Sequence, residues 1–160
     1  MQMNVHVLEP GATPPRFAVP LRRREDVALA ELMAGYGAHG GLASTDELVG
    51  LMRPHWRQPI SILAKWIIGR KVVSFMSRTQ FVLPVFQFAR PQMKPNEAVG
   101  DCSIELGDLM GVESFAAWFV RPCDWLGRRM PVDLLANDPA AVVDAAGRTR
   151  LALLAHRLSE

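Results

Sequence analysis

The sequence predicts a mainly α protein, a small helical domain with one β-hairpin. Capping residues, first-turn prolines and terminal glycines, which mark helix ends, recur along most of the 160 residues. Between these signals the apolar residues are spaced three and four apart, as one face of a helix requires. Residues 72–88 are instead rich in β-branched and aromatic side chains, which is typical of paired strands.

The composition is that of a folded chain, with 49% hydrophobic residues and a net charge of +2. The N-terminus lacks the basic and apolar regions of a secretory signal. The longest apolar segment, residues 60–75, contains Lys65, Arg70 and Lys71, so it is not a membrane span. We therefore expect a cytoplasmic protein that does not bind membranes.

Three segments are expected along the chain. Residues 1–24 contain four prolines and no hydrophobic period, which predicts a flexible N-terminal arm. Residues 25–69 are predicted to form N-terminal helices that could be arranged as a helix-turn-helix. Residues 70–160 are predicted to form a C-terminal domain.

Local signals place the N-terminal helices. Ser44 and Glu47 have the spacing of a capping box, in which each residue satisfies a backbone N–H of the other. Pro59 suits the first turn of the following helix. One apolar face of that helix is predicted to consist of Ile60, Leu63 and Ile67.

The predicted hairpin joins residues 72–75 to residues 80–88, with Arg78 near its turn. Pro84 has no N–H to donate, which predicts an edge strand or a bulge. Because this strand is apolar on both faces, it needs cover from the helices or from a second subunit. We therefore expect a homodimer.

Further helices are predicted after Pro95, including one over residues 114–120 with Trp118 and Phe119 in the core. Asp138 is the predicted N-cap of the last helix. This helix is expected to pack on the others or to pair with its copy. Its predicted apolar stripe comprises Val143, Ala146, Leu151, Leu154 and Leu158.

The segment between the last two of these helices combines Trp125 with Arg128 and Arg129. Tryptophan and arginine dominate the hot spots of protein interfaces. One interpretation is therefore a binding loop. The other is a tight connection in which Trp125 packs inward and the arginines are solvated.

This segment resembles the toxin-binding domain of the Xre/MbcA/ParS antitoxin family. The similar features are an apolar-Trp pair, a helix stop at Arg-Pro, Asp-Trp-Leu-Gly, a basic pair and Pro-Val-Asp-Leu-Leu, all within residues 117–135. Residues 81–88 are similar to the strand that precedes the helices in that family. The family has two adjacent glycines before its basic residues, whereas this chain has Gly127 followed by Arg128.

The resemblance covers roughly residues 70–155 and implies an antitoxin-like protein. The implied partner is a cognate RES-type toxin that destroys cellular NAD, and the implied role is to cover its active site. The implied partner-binding residues are Trp125, Leu126, Gly127, Arg128, Arg129, Pro131, Asp133 and Leu134.

A second hypothesis follows from the charge distribution. Residues 48–96 contain no acidic residue and carry +8, so the rest of the chain carries −6 to give +2. Such a basic segment suits an anionic partner such as operator DNA. The candidate DNA-binding residues are Arg53, Arg57, Lys65, Arg70 and Lys71. The alternative function is thus a DNA-binding transcriptional repressor, or an orphan protein of the antitoxin fold, that acts through the basic segment 53–94.

No catalytic constellation is visible in the sequence. The histidines are scattered without metal-ligand spacing, and neither cysteine has a histidine nearby to activate it. Asp101, Glu105 and Asp108 share one helical face, which is more often solvated than metal-binding. We therefore expect no enzymatic activity, no metal and no cofactor.

Overall fold

Helices dominate the part of the chain that the computed structural model describes, which is residues 23–77 and 79–160. Within these residues the α-helices are α1 (Arg23–Tyr36), α2 (Thr45–Met52), α3 (Pro59–Ile68), α4 (Glu97–Leu106), α5 (Val112–Trp118), α6 (Pro131–Leu134) and α7 (Pro139–Leu158). The mainly α fold class is confirmed. The predicted arm, residues 1–24, lies outside the described residues except for Arg23 and Arg24, which begin α1.

The β structure is more extensive than one hairpin. Its strands are β1 (Leu42–Ser44), β2 (Phe75–Ser77), β3 (Gln80–Pro84), β4 (Phe88–Ala89) and β5 (Lys94–Pro95). The hairpin of β2 and β3 is confirmed, although it begins later and ends earlier than predicted, because Val85–Gln87 forms a 3-10 turn. Arg78, at its turn, lies outside the described residues. A second small sheet pairs β4 with β5.

The prediction that the proline-containing strand lies at a sheet edge is wrong, because β3 is the central strand in the order β1-β3-β2. Pro84 lies opposite Leu42 at the end of β3, beyond the last pairing with β2. The N–H of Val85 donates to the carbonyl of Gly41 at 3.0 Å, so the ladder continues past the proline. The missing N–H of Pro84 therefore removes no bond to β1.

The local helix signals are confirmed. The N–H of Glu47 donates to Ser44 Oγ at 3.2 Å, and the N–H of Ser44 donates to Glu47 Oε2 at 2.8 Å. Pro59 is the first residue of α3. Only one residue of the predicted apolar face of α3, Leu63, is fully buried, and the expectation for Ile60 is wrong because its side chain is exposed.

Two hydrophobic clusters form the interior. The larger is built around α4, α5 and α7, with Tyr36 and Phe119 at its centre. Phe86 joins it by stacking on Tyr36 at 5.5 Å between ring centroids. The smaller cluster lies between α2, α3 and β3 and contains Leu48 and Leu83. No helix in the described ranges is both long and apolar enough to span a bilayer.

Helix α7 packs along α4, and Arg150 of α7 donates to the carbonyl of Glu105 in α4 at 2.8 Å. Asp138 caps α7 by accepting the N–H of Ala141 at 3.2 Å, as predicted. Its buried residues are Val142, Ala145 and Ala146. Of the predicted stripe, Ala146 is buried, whereas Leu151 and Leu158 are exposed in the single chain.

Candidate functional site

The backbone of residues 123–129 closes into a hydrogen-bonded ring between α5 and α6. The N–H of Cys123 donates to the carbonyl of Arg129, and the N–H of Arg128 donates to the carbonyl of Cys123, both at 3.0 Å. Between them, Asp124–Leu126 forms a 3-10 turn. Cys123 and Leu126 are buried in the larger cluster, so two side chains anchor the ring to the core. The side chains of Asp124, Trp125, Arg128 and Arg129 lie on the surface.

Two consecutive residues of the ring have left-handed backbone conformations. Gly127 has φ of 63° and Arg128 has φ of 67°. Glycine adopts this region without steric cost, whereas other residues rarely do. Arg128 thus stands at a position that favours glycine. Its guanidinium Nη1 lies 2.7 Å from Asp124 Oδ1, in an exposed ion pair across the ring.

Trp125 is 50% exposed, so the interpretation that it packs inward is wrong. The guanidinium carbon of Arg148 lies 5.8 Å from the centroid of the Trp125 ring, within the range of a cation–π contact. Asp144 holds that guanidinium, accepting the Arg148 Nε–H at 2.8 Å. The indole of Trp125 is therefore in contact with α7 on one side and exposed to solvent elsewhere.

Arg129 is exposed, and its Nε–H donates to the Leu126 carbonyl at 3.1 Å. This bond directs the base of the side chain along the ring and leaves the outer nitrogens of the guanidinium available. Asp133, in α6, is exposed and lies 3.8 Å from His39 Nε2. Arg129, in the connection between α5 and α6, and Asp133, in α6 itself, are therefore both exposed to solvent.

The structure divides the eight predicted partner-binding residues into two groups. The exposed group is Trp125, Gly127, Arg128, Arg129 and Asp133. The side chains of Leu126 and Pro131 are buried, and Leu134 is half-buried against the larger cluster. The second group supports the ring, and only the first can contact a partner without rearrangement.

Four of the five predicted DNA-binding residues line two adjoining depressions that share Trp56. Arg53 and Arg57 line a shallow depression beside Trp56 and the start of α3. Lys65 and Lys71 line a separate, deeper cleft on the other side of Trp56. The remaining residue, Arg70, pairs with Asp108 at 3.1 Å.

Sequence reasoning missed Arg148 and the pair of Trp56 and Trp66. Arg148 reaches Trp125 only because α7 folds back over the ring, and no local pattern reports that contact. The indoles of Trp56 and Trp66 pack edge to face at 5.5 Å. Trp56 lies in the connection between α2 and α3 and Trp66 lies in α3, so their spacing gives no periodic signal. Tryptophans within a basic segment are nevertheless a sign of a binding surface.

Other chemistry is limited in the described residues. Burial, with smaller contributions from Asp101 and Glu105, raises the pKa of the Cys102 thiol to about 12. The thiol is therefore protonated at neutral pH and is not a nucleophile. No group of three or more His, Cys, Asp or Glu side chains in residues 23–77 and 79–160 could hold a metal ion. Comparisons of the chain with protein-family models, with curated proteins and with solved structures gave no match.

Proposed function

We propose that the protein is an antitoxin-like protein that binds and neutralises a cognate RES-type, NAD-degrading toxin through residues 123–131. One observation carries this proposal. Trp125, Arg128 and Arg129 are exposed together on a backbone ring that is hydrogen-bonded and anchored in the core. The class of the toxin follows from the resemblance to the antitoxin family.

The geometry of the ring favours binding for two physical reasons. A loop that is already ordered loses little conformational entropy when it docks. An exposed indole provides a large apolar contact, and guanidinium groups form paired hydrogen bonds with carboxylates or phosphates. A ring that presents Trp125 beside two arginines therefore suits a polar cleft on a partner. Such inhibition by occlusion requires no catalytic residue and no cofactor in this chain, and it takes place in the cytoplasm, where the toxin meets its NAD.

The proposal is tested by co-expression with a RES-type toxin, taken from the neighbouring reading frame where that frame encodes one. Growth and cellular NAD are measured for the wild type and for Trp125→Ala and Arg129→Ala. Truncation of an arginine buried against a partner carboxylate costs roughly 2–5 kcal/mol of binding. We therefore expect both variants to lose protection while keeping a melting temperature close to that of the wild type.

The matched control is Arg121→Ala, since Arg121 is another exposed arginine, 3.8 Å from Glu31 in an exposed pair. It should protect cells as well as the wild type does. Equal protection by all three variants would show that residues 123–131 only connect two helices. Loss of protection by all three would instead show that the effect is not specific to residues 123–131.

The acting species in this proposal is a homodimer. In the second half of α7, Leu151 is 67% exposed and Leu158 is 89% exposed. A second copy packed against this half would bury both leucines. Light scattering at high micromolar concentration should give twice the mass of the chain, and Leu151→Lys should lower it. A monomer at that concentration would contradict this part of the proposal.

A second candidate function, repression through operator DNA, is favoured by one observation. Arg53 and Arg57 lie together in an exposed depression at the start of α3. The exposed residue Ile60 is apolar, however, and base edges are read by polar side chains. A shift of duplex operator DNA that weakens steeply with salt would support this candidate. An orphan of the fold would neutralise no toxin.

A further inference from the structure

A cleft of ≈ 640 Å³ lies between α3 and α4, away from residues 123–131. Small-molecule sites typically have volumes of about 300–1,000 Å³ and combine apolar walls with a few polar groups. The apolar wall here includes Trp56, Trp66 and Ile104, and five charged side chains are among the other lining residues. The size and lining of the cleft are those of a ligand site.

The aromatic wall is held rigidly. The indole Nε1–H of Trp56 donates to the carbonyl of Gln92 at 2.6 Å, which fixes the ring against the loop before β5. Trp66 packs edge to face on Trp56 at 5.5 Å and contacts Phe88 at 6.3 Å between ring centroids. Both tryptophans are half-buried, so part of each ring is available in the cleft. A planar group can stack there without rearrangement of the wall.

The chain contains three lysines, and all of them line this cleft: Lys65, Lys71 and Lys94. Among the ion pairs formed by the described residues, none involves any of the three. Lysine is a compact cation that commonly binds phosphate as a point charge. The three ammonium groups therefore offer an anion site beside the aromatic wall.

Two carboxylates, Glu97 and Asp101, line the α4 side of the same cleft. They are one helical turn apart, and neither belongs to an ion pair among the described residues. Carboxylates accept hydrogen bonds from hydroxyl and amino groups and repel phosphate. The cleft thus has a cationic side and an acceptor side, with aromatic rings between them.

We infer that this cleft binds a nucleotide unit, with its base against Trp66 and Trp56 and its phosphate near the lysines. The acceptor side then receives the sugar hydroxyls or the amino group of the base. Stacking on an aromatic side chain contributes roughly 1–3 kcal/mol per base. The unit belongs either to a free nucleotide or to a single strand, since bases stacked inside a duplex cannot reach the aromatic wall.

The surroundings of the cleft accommodate a longer ligand. Trp56 also lines the adjacent depression that contains Arg53 and Arg57. A single strand that occupies the cleft can therefore continue over Trp56, with its next phosphate near these arginines. This inference does not depend on the antitoxin proposal, because it concerns a different surface and a different ligand.

The test uses the full chain and three probes: adenosine monophosphate, a short labelled oligothymidylate and a duplex of the same length. Calorimetry measures binding of the nucleotide, and fluorescence anisotropy measures binding of the two nucleic acids. The variants are Lys65→Gln with Lys71→Gln, and Trp66→Leu. The matched control is Arg121→Gln, which removes an exposed cation that does not line the cleft.

We expect the paired lysine variant to weaken binding roughly tenfold or more, as loss of charged hydrogen bonds does. For the oligothymidylate, the slope of log affinity against log salt should fall by about 0.7 for each phosphate contact removed. Both lysines are exposed, so this variant should fold even if Trp66→Leu does not. Arg121→Gln should bind like the wild type.

The probes distinguish the sources of the nucleotide unit. Binding of adenosine monophosphate that the cleft variants weaken supports a free nucleotide. Binding of only the oligothymidylate, again weakened by the cleft variants, supports a single strand. The inference is overturned if neither probe binds, if the cleft variants bind as the wild type does, or if the duplex binds as tightly as the single strand.

Discussion

Gln87 and Val73 exchange two hydrogen bonds in the interior, as two paired residues of neighbouring strands do. The N–H of Val73 donates to Gln87 Oε1 at 2.7 Å, and Gln87 Nε2 donates to the Val73 carbonyl at 2.9 Å. The same Nε2 also donates to the Pro84 carbonyl at 3.0 Å. Gln87 is fully buried, and one side chain therefore satisfies three backbone groups where the two hydrophobic clusters meet.

The first prediction is that Gln87→Leu strongly destabilises the protein. Leucine has a similar size but cannot pair with the three backbone groups, and each buried group left unpaired costs about 1–3 kcal/mol. We expect a loss of about 3 kcal/mol or more in the free energy of unfolding, measured with urea. Gln80→Leu, at an exposed position of β3, is the control and should change it by less than about 0.5 kcal/mol. Equal effects of the two substitutions would mean that the amide of Gln87 does not hold the clusters together.

Sequence patterns predicted the features that depend on neighbouring residues. Ser44 and Glu47 form their capping box, and Asp138 caps α7, because each bond spans only three positions. The central position of β3 could not be predicted in this way. It depends on β1, a three-residue strand whose pairing partner lies about forty positions away, and so short a segment has no detectable period.

In the candidate site, too, the features that depend on neighbouring residues were predictable and those that depend on distant contacts were not. The residue types of the ring predict a binding loop, which stays a prediction. The structure shows a left-handed backbone at Gly127. The direction of each side chain was not predictable, because it depends on contacts distant in sequence. Leu126 points into the core between helices, whereas Trp125 is held outward beside Arg148 of α7.

A second prediction compares the two left-handed residues of the ring. Gly127→Ala should lower the free energy of unfolding by about 1 kcal/mol, because only the positive φ opposes a Cβ there and no atom lies within 4 Å of it. Arg128→Gly relieves the same strain. It also raises the conformational entropy of the unfolded chain, which lowers stability by about 0.4–1 kcal/mol. In addition, it removes an exposed ion pair worth about 0–1 kcal/mol.

These contributions nearly cancel, so Arg128→Gly should change the free energy of unfolding by less than about 0.5 kcal/mol. Both variants are measured by urea denaturation under the same conditions. If Arg128→Gly costs more than Gly127→Ala, then contacts of the arginine side chain, rather than its backbone conformation, dominate at this position.

A third prediction separates the two tryptophans that flank the helix stop. Trp118 is 9% exposed and packs edge to face on Phe119 at 5.1 Å. Trp118→Ala should therefore cost about 3–5 kcal/mol, as for large aromatic residues in a core. Trp125→Ala should cost less than about 1 kcal/mol, because it loses mainly an exposed cation–π contact. Thermal midpoints that fall equally in both variants would place Trp125 in the core as well.

The final prediction concerns alkaline pH and two buried acids. Burial raises the pKa of the Cys102 thiol from 9.0 to about 12, with Asp101 and Glu105 adding to the shift. Burial also raises the pKa of Tyr36 far above its ordinary 10.0, and its hydroxyl donates to the carbonyl of Ala116. Both groups are therefore neutral in the folded state at pH values where the unfolded chain has lost their protons.

Because the folded state then binds more protons than the unfolded state, stability falls as pH rises. Above pH 9.0, Cys102 should lower the free energy of unfolding by about 1.4 kcal/mol per pH unit, and above pH 10.0 Tyr36 should add a similar slope. Urea denaturation between these values and pH 12 measures the slopes. Cys102→Ala should remove the decline that begins near pH 9.0, whereas Tyr36→Phe should keep it and remove the steeper part. A stability that stays constant across this range would mean that both groups titrate alike in the folded and unfolded chain.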